Sequence, residues 1–207
     1  MKAVWLGLAC LAAAGSVAAN EALTPRNVAE LVQCASWERY QALQPALFDL
    51  AIDQGPGWMR KNEEASALGL YVYDLDQPLR VFGREFRQLA LHKQFVAVPL
   101  SGEAPVSGLA ASQGMARAPT QGQEQYYRFV GQDGPMLSAY WMSSNPLAAW
   151  LGDDEQAKML PFAGCSYTVA SEEEFIAAAL QSGDRMKKAR AGMEKMMREA
   201  SQSTEDR

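Results

Sequence analysis

Two cysteines carry the most specific chemistry in this sequence. The chain has three in total, and Cys10 lies in an amino-terminal segment that we expect to be removed. In an oxidising compartment, the even number that remains favours one disulfide over two separate buried thiols. No Cys-x-x-Cys motif, the arrangement of many redox catalysts, is present. We therefore predict a structural disulfide between Cys34 and Cys165.

A single histidine limits the catalytic and metal-binding chemistry open to one chain. Residues 110–114 have the small-x-Ser-x-Gly spacing of a hydrolase nucleophile turn, with Ser112 as the nucleophile. However, no strand pattern precedes Ser112, and His92 comes before the serine instead of after the acid, as that fold requires. A zinc site would need His92 together with both cysteines. We read His92 as structural or surface-exposed, and we expect no metal, no cofactor and no catalytic residue here.

Four aspartates are the remaining candidates for acid–base catalysis. They occur as two separated pairs, Asp49 with Asp53 and Asp74 with Asp76. In a hydrolase of envelope polymers that lacks short motifs, two of them would have to converge as general acid and general base. The competing interpretation of Asp74 and Asp76 is that they are turn residues.

Aromatic side chains are concentrated in the later part of the chain, at Tyr126-Tyr127, Tyr140-Trp141 and Trp150. Exposed together, they would form a platform that stacks on a glycan or a peptide. Packing within a β-sheet is the interpretation that we prefer. The spacing alone therefore identifies no binding site.

The amino terminus has the three parts of a bacterial secretory signal peptide. Met1-Lys2 is positively charged, residues 3–14 are almost wholly apolar, and Val17-Ala18-Ala19 supplies small residues for cleavage. We predict that residues 1–19 are removed and that the protein is periplasmic or secreted, with no transmembrane span. The full chain has a formal charge of −5, which is a poor basis for nucleic-acid binding.

Hydrophobic periodicity predicts an α+β fold with amino-terminal helices, an antiparallel sheet of five to seven strands and a carboxyl-terminal amphipathic helix. Thr24-Pro25 is typical of a helix start. From Leu68 to Leu100 the period becomes two, and the first of these strands is apolar on both faces, which predicts a central position in the sheet. We expect one globular domain over residues 20–170, followed by a helix and polar tail over residues 171–207.

The carboxyl-terminal segment has the only unusual face in the sequence. Ser171 to Glu174 matches a capping box, and apolar residues then recur at steps of four and three. A possible interaction face is formed by Met and basic residues at Met186, Met193, Met196, Met197, Lys187, Lys188 and Arg190. This face would bind a protein partner or an envelope component. The alternatives are packing on the domain itself and peripheral association with anionic lipid.

These observations favour a non-enzymatic envelope or periplasmic protein that acts by binding. The two alternatives are the carboxylate hydrolase and the peripheral membrane protein. Export, the absence of catalytic motifs and the Met-lined basic tail motivate the first hypothesis. None of them identifies a ligand, so the location of a binding site has to come from the structure.

Overall fold

The computed structural model describes residues 22–67, 69–100, 106–120, 124–143 and 158–205. The predicted signal peptide and Trp150 lie outside these residues. In chain order the elements are α1 (Pro25–Val32), α2 (Trp37–Ala51), β1 (Met59–Lys61), β2 (Leu70–Val81), β3 (Arg84–His92), β4 (Phe95–Pro99), α3 (Val106–Ser112), β5 (Ala116–Arg117), β6 (Gln125–Phe129), β7 (Met136–Ser143), β8 (Met159–Ser166) and α4 (Glu172–Glu205).

The described strands form one antiparallel sheet of eight in the order β1-β2-β3-β4-β8-β7-β6-β5. The mixed α and β class is as predicted, but the expected five to seven strands is too few. The strands β1 and β5 have three and two residues, which is too short for a period-two pattern to be recognised. The strand β2 continues as one element through a register shift between Asp74 and Leu79.

The prediction of a central first strand is also wrong, because β2 lies second from the edge and the middle pair is β4 with β8. Its apolar residues are nevertheless buried on both sides. Tyr73 is 1% exposed on one face and Val72 is 3% exposed on the other. Apolar residues on both faces therefore indicate that other elements cover both sides of the strand. They do not indicate the strand's position in the strand order of the sheet.

Local capping explains where the first two helices begin. The Thr24 side chain accepts a hydrogen bond from the Asn27 N–H at 3.2 Å, and Pro25 follows at the first helical position. Ser36 caps α2 in the same way by accepting from the Arg39 N–H at 3.3 Å. The helix α2 continues across Pro45 as a single element.

The helices α1, α2 and α3 pack on one face of the sheet, which we call the helical face. Its buried side chains include Tyr73, Leu89, Val96, Leu137 and Cys165. A second cluster of buried residues lies on the opposite face. We call this the second face, and it contains Val72, Ala90, Phe95, Ala97 and Phe162.

The disulfide that the sequence predicts ties the first helix to the sheet. Cys34 follows α1, Cys165 lies in β8, and their Cα atoms are 5.0 Å apart. Both side chains are buried. Nearby, the Tyr167 hydroxyl donates to the Leu31 carbonyl oxygen at 2.9 Å. The end of α1 is therefore held by a covalent bond and by a buried hydrogen bond.

The helix α4 begins with the predicted capping box. Ser171 Oγ accepts from the Glu174 N–H at 3.2 Å, and the Glu174 carboxylate accepts from the Ser171 N–H at 2.9 Å. The hydrogen bonds that this carboxylate accepts from the Ser171 N–H and from the Ser171 hydroxyl lower the pKa of Glu174. One turn into the helix, the Phe175 ring is 4.7 Å from that of Tyr127 on the second face. The first turns of α4 thus lie against the β6 side of the sheet.

The predicted interaction face of α4 falls mostly outside the described side chains. Lys188 is exposed, whereas the side chains of Met186, Met193, Met196, Met197, Lys187 and Arg190 are not described. The amphipathic character of the helix and its role in binding therefore stay predictions. Among the described residues, no helix is both long and apolar enough to cross a membrane.

Candidate functional site

A cavity of about 160 Å³ opens on the second face of the sheet, at the turn between β3 and β4. Ladder register explains its position, because His92 pairs with Phe95, Phe95 with Ser166, and Ser166 with Met136. These residues form one row across four strands. Tyr140 follows Met136 on the same side of β7 and also lines the cavity.

The chain's histidine has a defined orientation in this cavity. Its Nδ1 atom is 2.8 Å from the Gly69 carbonyl oxygen. Because a carbonyl oxygen can only accept, we assign the proton of the neutral ring to Nδ1. The Nε2 atom of His92 then becomes a hydrogen-bond acceptor, and the described residues provide no partner for it.

Tyr140 contributes a hydroxyl with no hydrogen-bond partner among the described residues, although its environment is largely apolar. Its ring lies 5.2 Å from that of Phe95, and burial raises the pKa of Tyr140 to about 12. The phenol is therefore neutral at physiological pH and carries its proton. It is a donor that a molecule in the cavity can use.

The hydroxyls of two serines in the lining donate elsewhere. Ser138 Oγ donates to the Tyr126 carbonyl oxygen at 3.1 Å, and Ser166 Oγ donates to Thr168 Oγ1 at 3.2 Å. Thr168 therefore accepts one bond while its own proton stays available. These hydrogen bonds orient the hydroxyls of the cavity without using the imidazole of His92.

Among the described residues that line the cavity, Lys93 is the one cation and none carries a carboxylate. It lies in the turn between β3 and β4 with φ of +53°, the left-handed conformation typical of a tight hairpin. The same residue also borders a groove between α2 and the helical face. The described surroundings therefore give this end of the cavity a positive charge.

The four candidate aspartates are not gathered in this cavity. Asp74 accepts from Asn62 Nδ2 at 3.0 Å and from Gln88 Nε2 at 2.9 Å, and it lines a separate groove of about 680 Å³ with Glu85. That groove is lined by none of the other three. Asp76 instead pairs with Arg60 at 3.3 Å, and Asp53 lies 4.0 Å from Lys61 Nζ.

Ser112 is the last residue of α3, and its hydroxyl donates to the Leu109 carbonyl oxygen at 2.8 Å. This is a helix end, so the strand-to-helix turn of a serine hydrolase is not formed there. In the part of the chain that the structure describes, no group of three or more His, Cys, Asp or Glu side chains is placed to hold a metal ion.

The described members of the aromatic set are divided between the two faces of the sheet and do not form one platform. On the helical face, the Glu124 carboxylate accepts from the Tyr126 hydroxyl at 2.9 Å and from Trp141 Nε1 at 3.3 Å. On the second face, the Tyr127 hydroxyl donates to Glu172 at 3.0 Å. Only Tyr140 of these residues lines the cavity.

Sequence reasoning missed this cavity because its parts come from separate strands. His92 and Tyr140 are each visible in the sequence, one as the single histidine and the other within an aromatic pair. Their convergence depends on the pairing of β4 with β8, which no local pattern reveals.

Two Tyr→Phe substitutions should distinguish a hydroxyl that donates a hydrogen bond to the protein from one that does not, by their effects on stability. In Tyr73→Phe the buried hydroxyl that donates to the Leu50 carbonyl oxygen at 3.2 Å is lost, and we expect the free energy of unfolding to fall by about 1 kcal/mol. In Tyr140→Phe no hydrogen bond to a described residue is lost, so stability should stay the same or rise slightly. Urea unfolding measures both, and an equal loss in the two variants would contradict a partner-free Tyr140 hydroxyl.

Comparison with known proteins adds no information about this site. No family model, no curated protein and no solved structure matches the chain. The interpretation of the cavity therefore rests on its own residues.

Proposed function

We propose that this chain is an exported bacterial binding protein that holds a small molecule or an envelope component noncovalently in the His92 cavity. One observation carries the proposal. His92 and Tyr140 both line one cavity, and the described residues offer no hydrogen-bond partner to the Nε2 atom of His92 or to the hydroxyl of Tyr140. A donor and an acceptor left unused in a concave site are suited to orienting a ligand.

The hydrogen bonds of the cavity support binding over catalysis. A serine nucleophile needs a hydrogen bond to its general base. Here Ser138 and Ser166 donate to Tyr126 and Thr168, so neither bond leads to His92. Among the described groups, the arrangement therefore lacks a nucleophile–base pair and instead offers fixed polar contacts.

Export is part of the proposal and is supported by the disulfide, because such bonds persist in oxidising compartments. The test is the intact mass of the protein isolated from the periplasm or medium of a bacterial host. We expect a chain that begins near Asn20 and carries one disulfide. Retention of residues 1–19 in a chain confined to the cytoplasm would contradict export.

Binding is tested by screening the processed full chain against peptidoglycan digests, hexoses and organic acids, with backbone amide NMR shifts as the readout. A ligand of the cavity should move the signals of Lys93, Gln94 and Ser166. Tyr140→Phe should weaken its binding about two- to tenfold, because one hydrogen bond is lost.

Tyr126→Phe is the matched control for this screen. It also removes one phenolic hydroxyl, but from a tyrosine on the helical face that is bonded to Glu124. Ligand binding should be unchanged in it. Shifts confined to the helical face, or no ligand among the three classes, would refute the proposed site.

A further inference from the structure

We propose that the ligand of the His92 cavity is a small organic carboxylate, held by the Lys93 ammonium and the Tyr140 hydroxyl. This inference rests on the binding function proposed above and goes beyond it by naming a chemical class. Three properties of the cavity lead to it, which are its charge, its surplus of donors and its size.

The charge of the lining favours an anion. Among the described residues of the lining, Lys93 is the one lysine or arginine, and no aspartate or glutamate accompanies it. In the part of the chain that the structure describes, Lys93 forms no ion pair. An ammonium without a neighbouring carboxylate produces a positive potential, which attracts a negatively charged group.

Hydrogen-bond donors are in surplus for the same ligand. The Tyr140 hydroxyl has no hydrogen-bond partner among the described residues, Thr168 keeps its own proton after accepting from Ser166, and Gln125 contributes an amide to the lining. A carboxylate has two oxygens that accept hydrogen bonds from several directions. Bonds to such a charged acceptor are shorter and stronger than those to a neutral one.

Size and the apolar wall restrict the rest of the ligand. One water molecule needs about 10–15 Å³ of this kind of space, so a cavity of about 160 Å³ accommodates a molecule of several heavy atoms. Phe95 and Met136 supply apolar surface beside the polar groups. A single cation with an apolar wall suits a monoanion with a short carbon body better than a dianionic phosphate.

The test compares lactate with lactamide, which has nearly the same shape but no charge. Titrations of the processed full chain are followed by NMR and by calorimetry, and inorganic phosphate is a third probe. We expect lactate to move the amide signals of His92, Lys93 and Tyr140. Lactamide and phosphate should bind at least about tenfold more weakly, because charge-assisted contacts are lost or mismatched.

Variants of Lys93 connect this preference to the structure. Lys93→Asn suits the left-handed backbone at this position and should abolish the preference for lactate over lactamide, while Lys93→Arg should retain it. Lys158→Gln, which removes the charge of an exposed lysine outside the cavity lining, should bind lactate like the unaltered protein. If Lys93→Asn does not fold, Lys93→Gln is used in its place, and it should likewise lose the preference for lactate over lactamide.

The outcomes separate this inference from the proposed function. Equal binding of lactate and lactamide in the cavity would overturn the carboxylate and leave the binding function in place. Binding of phosphate at least as tight as that of lactate would also overturn it. If none of the three probes binds while a hexose does, the carboxylate inference is overturned and the binding function remains. If no molecule in the wider screen binds, the binding function is overturned as well.

Discussion

Replacing Cys34 and Cys165 together by alanine is expected to lower the free energy of unfolding by about 2–4 kcal/mol. The disulfide closes a loop with a sequence separation of 131, for which chain entropy gives about 5 kcal/mol as an upper value. The expected loss of about 2–4 kcal/mol is smaller than this upper value because the unfolded chain retains residual structure. Urea unfolding monitored by tryptophan fluorescence measures the difference.

Reduction of the unaltered protein provides the control for this experiment. With dithiothreitol its unfolding curve should approach that of the double variant, and its band should shift on a nonreducing gel. The double variant itself should be insensitive to the reductant. Two titratable thiols in the purified, untreated protein would show that the disulfide does not form.

Gly164→Ala is expected to destabilise the fold by about 1–3 kcal/mol or more, as overpacking of a rigid site does. A Cβ atom at position 164 would overlap the Val96 carbonyl oxygen and Ala97 Cα, and would lie 2.7 Å from Ala97 Cβ. Most of these atoms belong to the backbone of β4, so a side-chain rotation cannot relieve the overlap. The two central strands would have to separate.

Gly57→Ala adds the same methyl group at a position where a Cβ atom would meet nothing within 4 Å. Its stability should be unchanged or slightly higher, because alanine reduces the freedom of the unfolded chain. Thermal and urea unfolding of both variants give the comparison. A Gly164→Ala protein as stable as Gly57→Ala would contradict the close approach of β8 to β4.

Features that depend on local chemistry could be predicted from the sequence. Thr24 and Ser171 are caps because their side chains bond to backbone groups three residues away, within reach of a short motif. The disulfide could be predicted from the expected oxidising compartment and from the even number of cysteines that remain there, and neither of these depends on the fold. The short edge strands β1 and β5 were missed because two or three residues establish no period.

The candidate site was harder to predict from the sequence, because its contacts join residues that are far apart in the chain. His92 is oriented by Gly69, which is 23 residues away, and Tyr140 enters the cavity through the pairing of β7 with β8. Hydrophobic patterning selects which face of a strand is buried, but it does not select the neighbouring strand. The residue types were therefore visible, whereas their convergence was not.

The strand order also has a consequence for how the chain folds. Strands β1 to β4 form one meander of consecutive neighbours and β5 to β8 form another, and the two meet only where β4 pairs with β8. Within each meander loop closure is short and entropically cheap. The β4–β8 ladder instead joins partners as remote as Phe95 and Ser166, so we expect this seam to limit the folding rate.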